Sequence, residues 1–221
     1  MPLTFARRSS VVALATGILV GIYVLPGAAS TAAPRNLLKN GNAELGAAVA
    51  DDSSVVKEIP GWTRTGNFTV VKYGSPGGFP DAAVSTKIAG GKNFFAGGPS
   101  NPTSGATQTV NVAGRARSTD AGKVGATLAG YLGGYSSQRD SLTVTATFLD
   151  ASGKKLGLLK IGPVTPAQRG SETTMIEKSA TGGVPAKTRS IKVAVVAVRT
   201  DGSYNDGYAE NLQLTLARGG A

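Results

Sequence analysis

The chain contains neither cysteine nor histidine in its 221 residues. Without cysteine there can be no disulfide, iron–sulfur cluster or thiolate zinc site. Without histidine, a Ser–His–Asp triad, a Cys–His pair and a His-ligated zinc are all excluded. Any acid–base work near neutral pH would fall to carboxylates, Lys or Tyr with shifted pKa. Acids are also scarce: 13 Asp and Glu stand against 23 Lys and Arg, a formal charge of +10. There is one tryptophan. No long amphipathic helix pattern occurs. The longest apolar run, Val11 to Leu25, falls short of the ~20 residues that a bilayer span requires.

That run has the setting of an export signal. Arg7 and Arg8 precede it, Pro26 and Gly27 break it, and small residues follow from Ala28 to Ala33. Residues 1–33 therefore read as a signal peptide. The expectation is a secreted protein with no transmembrane anchor after processing, and without a cysteine it cannot be a lipoprotein. Removing Arg7 and Arg8 from the formal +10 leaves +8. Such a balance favours anionic partners, among them cell-surface polymers, although scattered basic residues also serve solubility. Nucleic acid is not expected, because the basic residues are not interleaved with aromatics.

From Asn36 onward the apolar period is two rather than 3.6. In Ser141 to Leu149, Leu142, Val144, Ala146 and Phe148 point one way and Thr143, Thr145 and Thr147 the other. Asp150-Ala151-Ser152-Gly153 makes a turn, and Lys154 to Ile161 returns as the partner strand. Further strands are predicted at Phe68 to Lys72, Asn93 to Ala96, Ala106 to Val112, Val124 to Leu132, Glu172 to Ser179, Ser190 to Val198 and around Leu212, Leu214 and Leu216. About nine or ten short strands predict an all-β antiparallel sandwich of the jelly-roll type over residues 34–217. The first and last strands should be adjacent, with Asn36-Leu37-Leu38 opening the domain and Asn211 to Leu214 closing it, and Arg218 to Ala221 should be a frayed tail.

Two stretches carry a resemblance. One is Asn36-Leu37-Leu38-Lys39-Asn40-Gly41-Asn42-Ala43-Glu44-Leu45-Gly46 followed by Ile59-Pro60-Gly61-Trp62; the other is Tyr204-Asn205-Asp206-Gly207-Tyr208-Ala209-Glu210-Asn211-Leu212-Gln213-Leu214. Together with Tyr131 to Asp140 they resemble the galactose-binding-like jelly-roll superfamily. That group includes the carbohydrate-binding modules of xylanases and glucanases and the F-box-associated domain. The resemblance spans nearly the whole chain after residue 33. It speaks more specifically for fold than for ligand, because one fold hosts many functions.

In the modules that the chain resembles, a structural calcium lies between the first and last strands. Glu44 matches the early carboxylate. Glu210 stands where those modules usually carry aspartate, which lengthens one ligand arm. Calcium takes six to eight oxygens, many from backbone carbonyls, so two carboxylates could suffice. The other reading is that Glu44 and Glu210 cap turns or pair with Lys39.

Tyr131 and Tyr135 flank Gly133-Gly134, which allows a ligand close to the backbone, and Gln138, Arg139 and Asp140 follow to bond hydroxyls. Tyr204, Asp206 and their neighbours form a second cluster of the same kind. Either cluster could instead be a strand end with a solvated turn. Trp62 reads as a core anchor. Phe94 and Phe95 should point to opposite faces, one into the core and the other at least partly exposed. No nucleotide loop and no Gly-x-Ser-x-Gly elbow is present. The expected function is a secreted, non-catalytic module for extracellular carbohydrate. The alternative is an adhesive or structural surface protein that binds an anionic wall polymer or a protein.

Overall fold

The computed structural model describes residues 34–218; the stretch read as a signal peptide and the last three residues lie outside them. The described chain forms two five-stranded antiparallel sheets packed face to face. One has the order β1-β4-β9-β6-β7: Thr63–Thr65, Thr103–Asn111, Ser190–Val198, Ser141–Leu149 and Lys155–Ile161. The other has the order β2-β3-β10-β5-β8: Thr69–Lys72, Asn93–Pro99, Tyr204–Arg218, Val124–Gly134 and Thr174–Gly183. The period of two in the sequence has become this jelly-roll sandwich. In β6, Leu142, Val144, Ala146 and Phe148 are buried while the threonines between them face outward.

The main core lies between the sheets and includes Trp62, Phe68, Phe95, Leu128, Leu132, Phe148, Ile191 and Leu214. Trp62 donates its indole N–H to the Asn40 carbonyl at 3.1 Å, so it anchors the core. The chain ends meet, but by single bonds rather than a strand ladder. Leu37 N donates to Leu214 O at 2.8 Å and Leu212 N donates to Gly41 O at 2.8 Å. The Asn36 side chain bridges Leu212 O and Leu214 N.

A second apolar cluster covers the outer face of the β2-β3-β10-β5-β8 sheet: Val71, Phe79, Ile88, Phe94, Ala96, Met175 and Tyr208. It explains one departure from expectation. Phe94 and Phe95 do point to opposite faces, yet Phe94 is fully buried, because the β2–β3 connection folds back over it. That connection carries helix α1, Ala82–Ile88. Asp81 caps it by accepting from Ala83 N at 2.9 Å and Val84 N at 3.0 Å, and Ala89 ends it in the left-handed region at φ 51°. A shorter helix α2, Ala116–Asp120, joins β4 to β5. Arg218, expected in a frayed tail, is instead the last residue of β10, opposite Val124; pairing with the long strand β5 extends β10 to that point.

Candidate functional site

Strand β10 places Tyr204, Asp206, Tyr208 and Glu210 at alternate positions, so all four share one face. That face is the one covered by the second cluster. Phe79 meets the Tyr204 ring edge-on at 5.1 Å and the Tyr208 ring at 6.2 Å, and Phe94 meets Tyr208 at 5.3 Å. Three polar side chains, Asp206, Tyr208 and Glu210, are thereby buried beneath an aromatic cover and Tyr204 is half-buried, a placement that needs a reason because buried polar groups are costly unless bonded.

Tyr208 and Asp206 satisfy one another: the Tyr208 hydroxyl donates to Asp206 Oδ1. Asp206 Oδ2 makes no such bond among the described residues. Burial pushes the Asp206 carboxyl up to about 6; the Asp140 and Asp52 charges add to the rise, while the Tyr208 bond and Arg169 oppose it. Tyr204 is raised above its ordinary value, first by burial and then by Asp206.

Beside Asp206 and Tyr204 opens a cavity of about 210 Å³ lined by Asp52, Gly77, Phe79, Tyr135, Gln138, Gly202, Ser203, Tyr204 and Asp206. Two of its polar atoms are buried without a hydrogen-bond partner, the Tyr204 hydroxyl and Gln138 Oε1. Four of the residues singled out from the sequence, Tyr135, Gln138, Tyr204 and Asp206, thus converge on one cavity, although Tyr135 and Tyr204 are far apart in the chain. Gly78, at φ 82°, permits the close approach; a Cβ there would sit 2.4 Å from the Tyr135 ring.

The turn after β5 is held from below. Arg169 is buried, and its guanidinium donates to the carbonyls of Tyr135 at 3.1 Å and Gln138 at 2.7 Å, and also to Ser136 and Glu172. It fixes the backbone that presents Tyr135 and Gln138. Burial lowers the Arg169 pKa, partly offset by Tyr208 and Asp206.

The remaining sequence candidates lie outside this cavity. Asp140 is buried, with Oδ1 accepting from Thr200 N at 2.6 Å and Asp201 N at 2.9 Å, and Oδ2 accepting from Asp206 N at 2.8 Å. Its oxygens are occupied with joining the β6 start to the β9–β10 loop, so it braces the cavity wall and does not line the cavity. Arg139 is exposed and lies 3.8 Å from Asp201. Tyr131 is opposite Glu210 in the β5–β10 register and packs against the second cluster, as Tyr135 does, but it does not line the cavity.

Glu44 and Glu210 do come together. Glu210 is fully buried and neither carboxylate oxygen has a hydrogen-bond partner. Burial pushes it up to about 10, with the Glu44 charge adding to the rise and the nearby Asn211 backbone N–H, too poorly placed for a hydrogen bond, opposing it. Glu44 Oε1 accepts from Lys92 N and Asn93 N, both at 2.8 Å. The Tyr73 hydroxyl is buried and unpartnered, and is raised by burial and then by both glutamates. A Cβ on Gly90 would meet that hydroxyl at 2.6 Å, and one on Gly91 would meet Glu44 Oε1 at 2.7 Å, so both positions must stay bare. The donor set is all oxygen, and a carboxylate with two orphaned oxygens fits a hard cation. No group of three or more acids gathers among the described residues, so most ligands of such a cation would be neutral oxygens. On sequence alone this corner stands apart from the tyrosine cluster. The structure puts both on the same face of β10, four residues or roughly 13 Å apart.

Phe79, Asp52, Arg169 and Tyr73 were not singled out from the sequence. Phe79 gave one usable sign, an aromatic enclosed by glycines and prolines in Ser75-Pro76-Gly77-Gly78-Phe79-Pro80. Arg169 gave none, because a buried arginine in a turn is indistinguishable from a solvated one.

No family model and no curated protein matches the chain. Among solved structures, a cyclase from Fischerella sp. TAU, in complex with 4-(1H-indol-3-yl)butan-2-one, is similar at 15% identity and a TM-score of 0.54, over 83% of this chain and 98% of that one. A family 61 carbohydrate-binding module in complex with β-1,4-galactotriose is similar at 17% identity and a TM-score of 0.47, over 83% and 99%. The enzymatically active domain of tailspike protein 4 of bacteriophage CBA120 is similar at 16% identity and a TM-score of 0.47; 82% of this chain covers only 21% of that one. At such identities the likeness is one of fold, and that fold is the antiparallel two-sheet jelly roll described above.

Proposed function

We propose that this chain is an exported, non-catalytic binding protein for carbohydrate, and that the cavity among Tyr135, Gln138, Tyr204 and Asp206 receives the sugar. One observation carries the reading: two buried polar atoms, the Tyr204 hydroxyl and Gln138 Oε1, stand unpartnered at the wall of an open cavity. A ligand rich in hydroxyls would satisfy both, while Tyr135 and Phe79 offer apolar ring area. Asp206 Oδ2 supplies an acceptor. The fold does not choose between binding and catalysis. Two carboxylates, Asp206 and the exposed Asp52, line the cavity, so hydrolysis by paired carboxylates is the competing reading that a titration must separate from binding.

Titration of the full chain against a panel of neutral and acidic oligosaccharides tests this. The reading expects at least one ligand whose affinity drops about tenfold in Tyr135→Ala and in Gln138→Ala, the loss of one contact each. Binding that is indifferent to both changes, or release of shortened sugars, contradicts it.

We also propose that Glu44 and Glu210 hold a structural calcium. Both carboxylates and neighbouring carbonyls would bind it, and its charge would keep Glu210 ionised. A metal that binds only the folded state stabilises by about 2.7 kcal/mol at a hundredfold excess over its dissociation constant. Calcium should therefore raise Tm in the wild type and leave Glu210→Gln unmoved. The variant should also be the more stable of the two in chelator, since it has no carboxyl to bury. An equal calcium response in both proteins would remove Glu210 from any metal site.

A further inference from the structure

We propose that the outer face of the β1-β4-β9-β6-β7 sheet is a second docking surface, independent of the cavity, for a linear anionic polysaccharide. None of these five strands contains an aspartate or glutamate. The strand acids all lie in the opposite sheet, in β8 and β10. Because Val144, Ala146, Val193 and Val195 point into the core, their neighbours in sequence point out. Lys192, Lys160 and Lys155 are outward and exposed. The register sets Lys192 opposite Thr147, Thr147 opposite Leu158, and Thr145 opposite Lys160. With strands about 4.8 Å apart and like-facing residues about 6.7 Å apart, the three lysines form a triangle with sides of roughly 10–14 Å. That exceeds the ~8 Å Debye length at physiological salt, so the lysines act as separate anion sites and favour a ligand long enough to meet all three.

The same face exposes Leu158, Val196 and Val198, at 42%, 39% and 39%, between rows of threonine hydroxyls. No described segment covers it, in contrast to the face beneath α1. Charge selects the occupant. A second copy would set lysine against lysine. Single-stranded nucleic acid would find no aromatic side chain here on which to stack, three separated lysines are few for the dense phosphate rows of a duplex, and a bilayer would find no interfacial aromatic anchor. An extended chain of sugar rings bearing carboxylates supplies regularly spaced anions for the lysines, hydroxyls for the threonines and apolar ring faces for the valines. Lysines on β7 also shield a sheet edge against pairing with another chain, but Lys192 lies on the central strand β9, where edge protection is not needed.

The test compares two triple variants with the same change of charge. Lys155→Gln/Lys160→Gln/Lys192→Gln empties the face; Lys87→Gln/Lys123→Gln/Arg218→Gln removes charge from exposed positions on the other sheet side. All six side chains are exposed, so both variants should keep the wild-type melting temperature, which is checked first. Binding of the full chain to polygalacturonate, with neutral dextran, anionic phospholipid vesicles and duplex DNA alongside, is measured at two salt concentrations. The expected result is binding to polygalacturonate that weakens with salt, falls about tenfold or more in the first variant and much less in the second. Tyr135→Ala should leave this binding intact, which separates it from failure of the cavity reading. Equal loss in both variants, a preference for vesicles or DNA, a dimer that the first variant dissociates, or no polyanion binding at all would each overturn the proposal.

Discussion

Asp206 brings together burial, one hydrogen bond and several nearby charges, and its ionisation gives the site a pH signature. Its folded pKa is about 6 against an ordinary 3.8, so the folded state holds the proton more tightly than the unfolded chain. The associated stability is therefore fully present below about pH 4 and is lost as pH rises through about 6. A tenfold difference in proton affinity is worth ~1.4 kcal/mol, so the loss is on the order of 2–3 kcal/mol. Chemical denaturation between pH 3.5 and 7.5 should show Asp206→Asn gaining on the wild type by that amount as pH rises. A difference between the two proteins that stays constant over that range would mean that the carboxyl is better solvated than its surroundings imply. The residue scale is also where sequence reasoning was weakest. Tyr135, Gln138, Tyr204 and Asp206 were legible because aromatic and polar residues cluster beside glycines. Asp140 lies outside the cavity, and nothing in a sequence tells a carboxylate bonded to backbone N–H groups from one that lines a cavity.

Strands were far more legible, because alternation is a local signal that tertiary packing reinforces. Strands β6 and β9 have the predicted bounds, and β7 differs only by starting at Lys155 instead of Lys154. Phe148 at the centre of β6 is buried, and Phe148→Ala should cost about 3–5 kcal/mol in unfolding free energy. A cost under 1 kcal/mol would place that side chain outside the core. Short elements were not legible. Strand β1 has three residues and α1 has seven, too few for a period to emerge. The consequence reached the site, since α1 and Phe79 supply the cover that buries β10's polar row. With that cover missing from the reading, one of Phe94 and Phe95 was expected to be at least partly exposed, whereas both are buried.

At the scale of the whole molecule the two sheets divide the chemistry. The β2-β3-β10-β5-β8 sheet carries the strand acids, the aromatic cover and the cavity, while the other outer face is basic, rich in threonine and bare. The closeness of the chain ends was foreseen from apolar segments at both termini of residues 34–218, but the opening segment joins β10 by single bonds at Leu37 and Gly41 and forms no strand. This joining brings Glu44 onto the face where Glu210 lies, which explains why two carboxylates so distant in sequence share one corner. The central claim is that a sugar occupies the cavity beside Asp206. Amide chemical-shift mapping by NMR tests it most directly, with the tightest oligosaccharide of the panel titrated into isotopically labelled protein. The account predicts that the largest shifts fall on Phe79, Tyr135, Gln138, Gly202, Tyr204 and Asp206, with little change at Lys192 or Thr145 for a neutral sugar. Shifts confined to the threonine face, or spread evenly over both sheets, would contradict it.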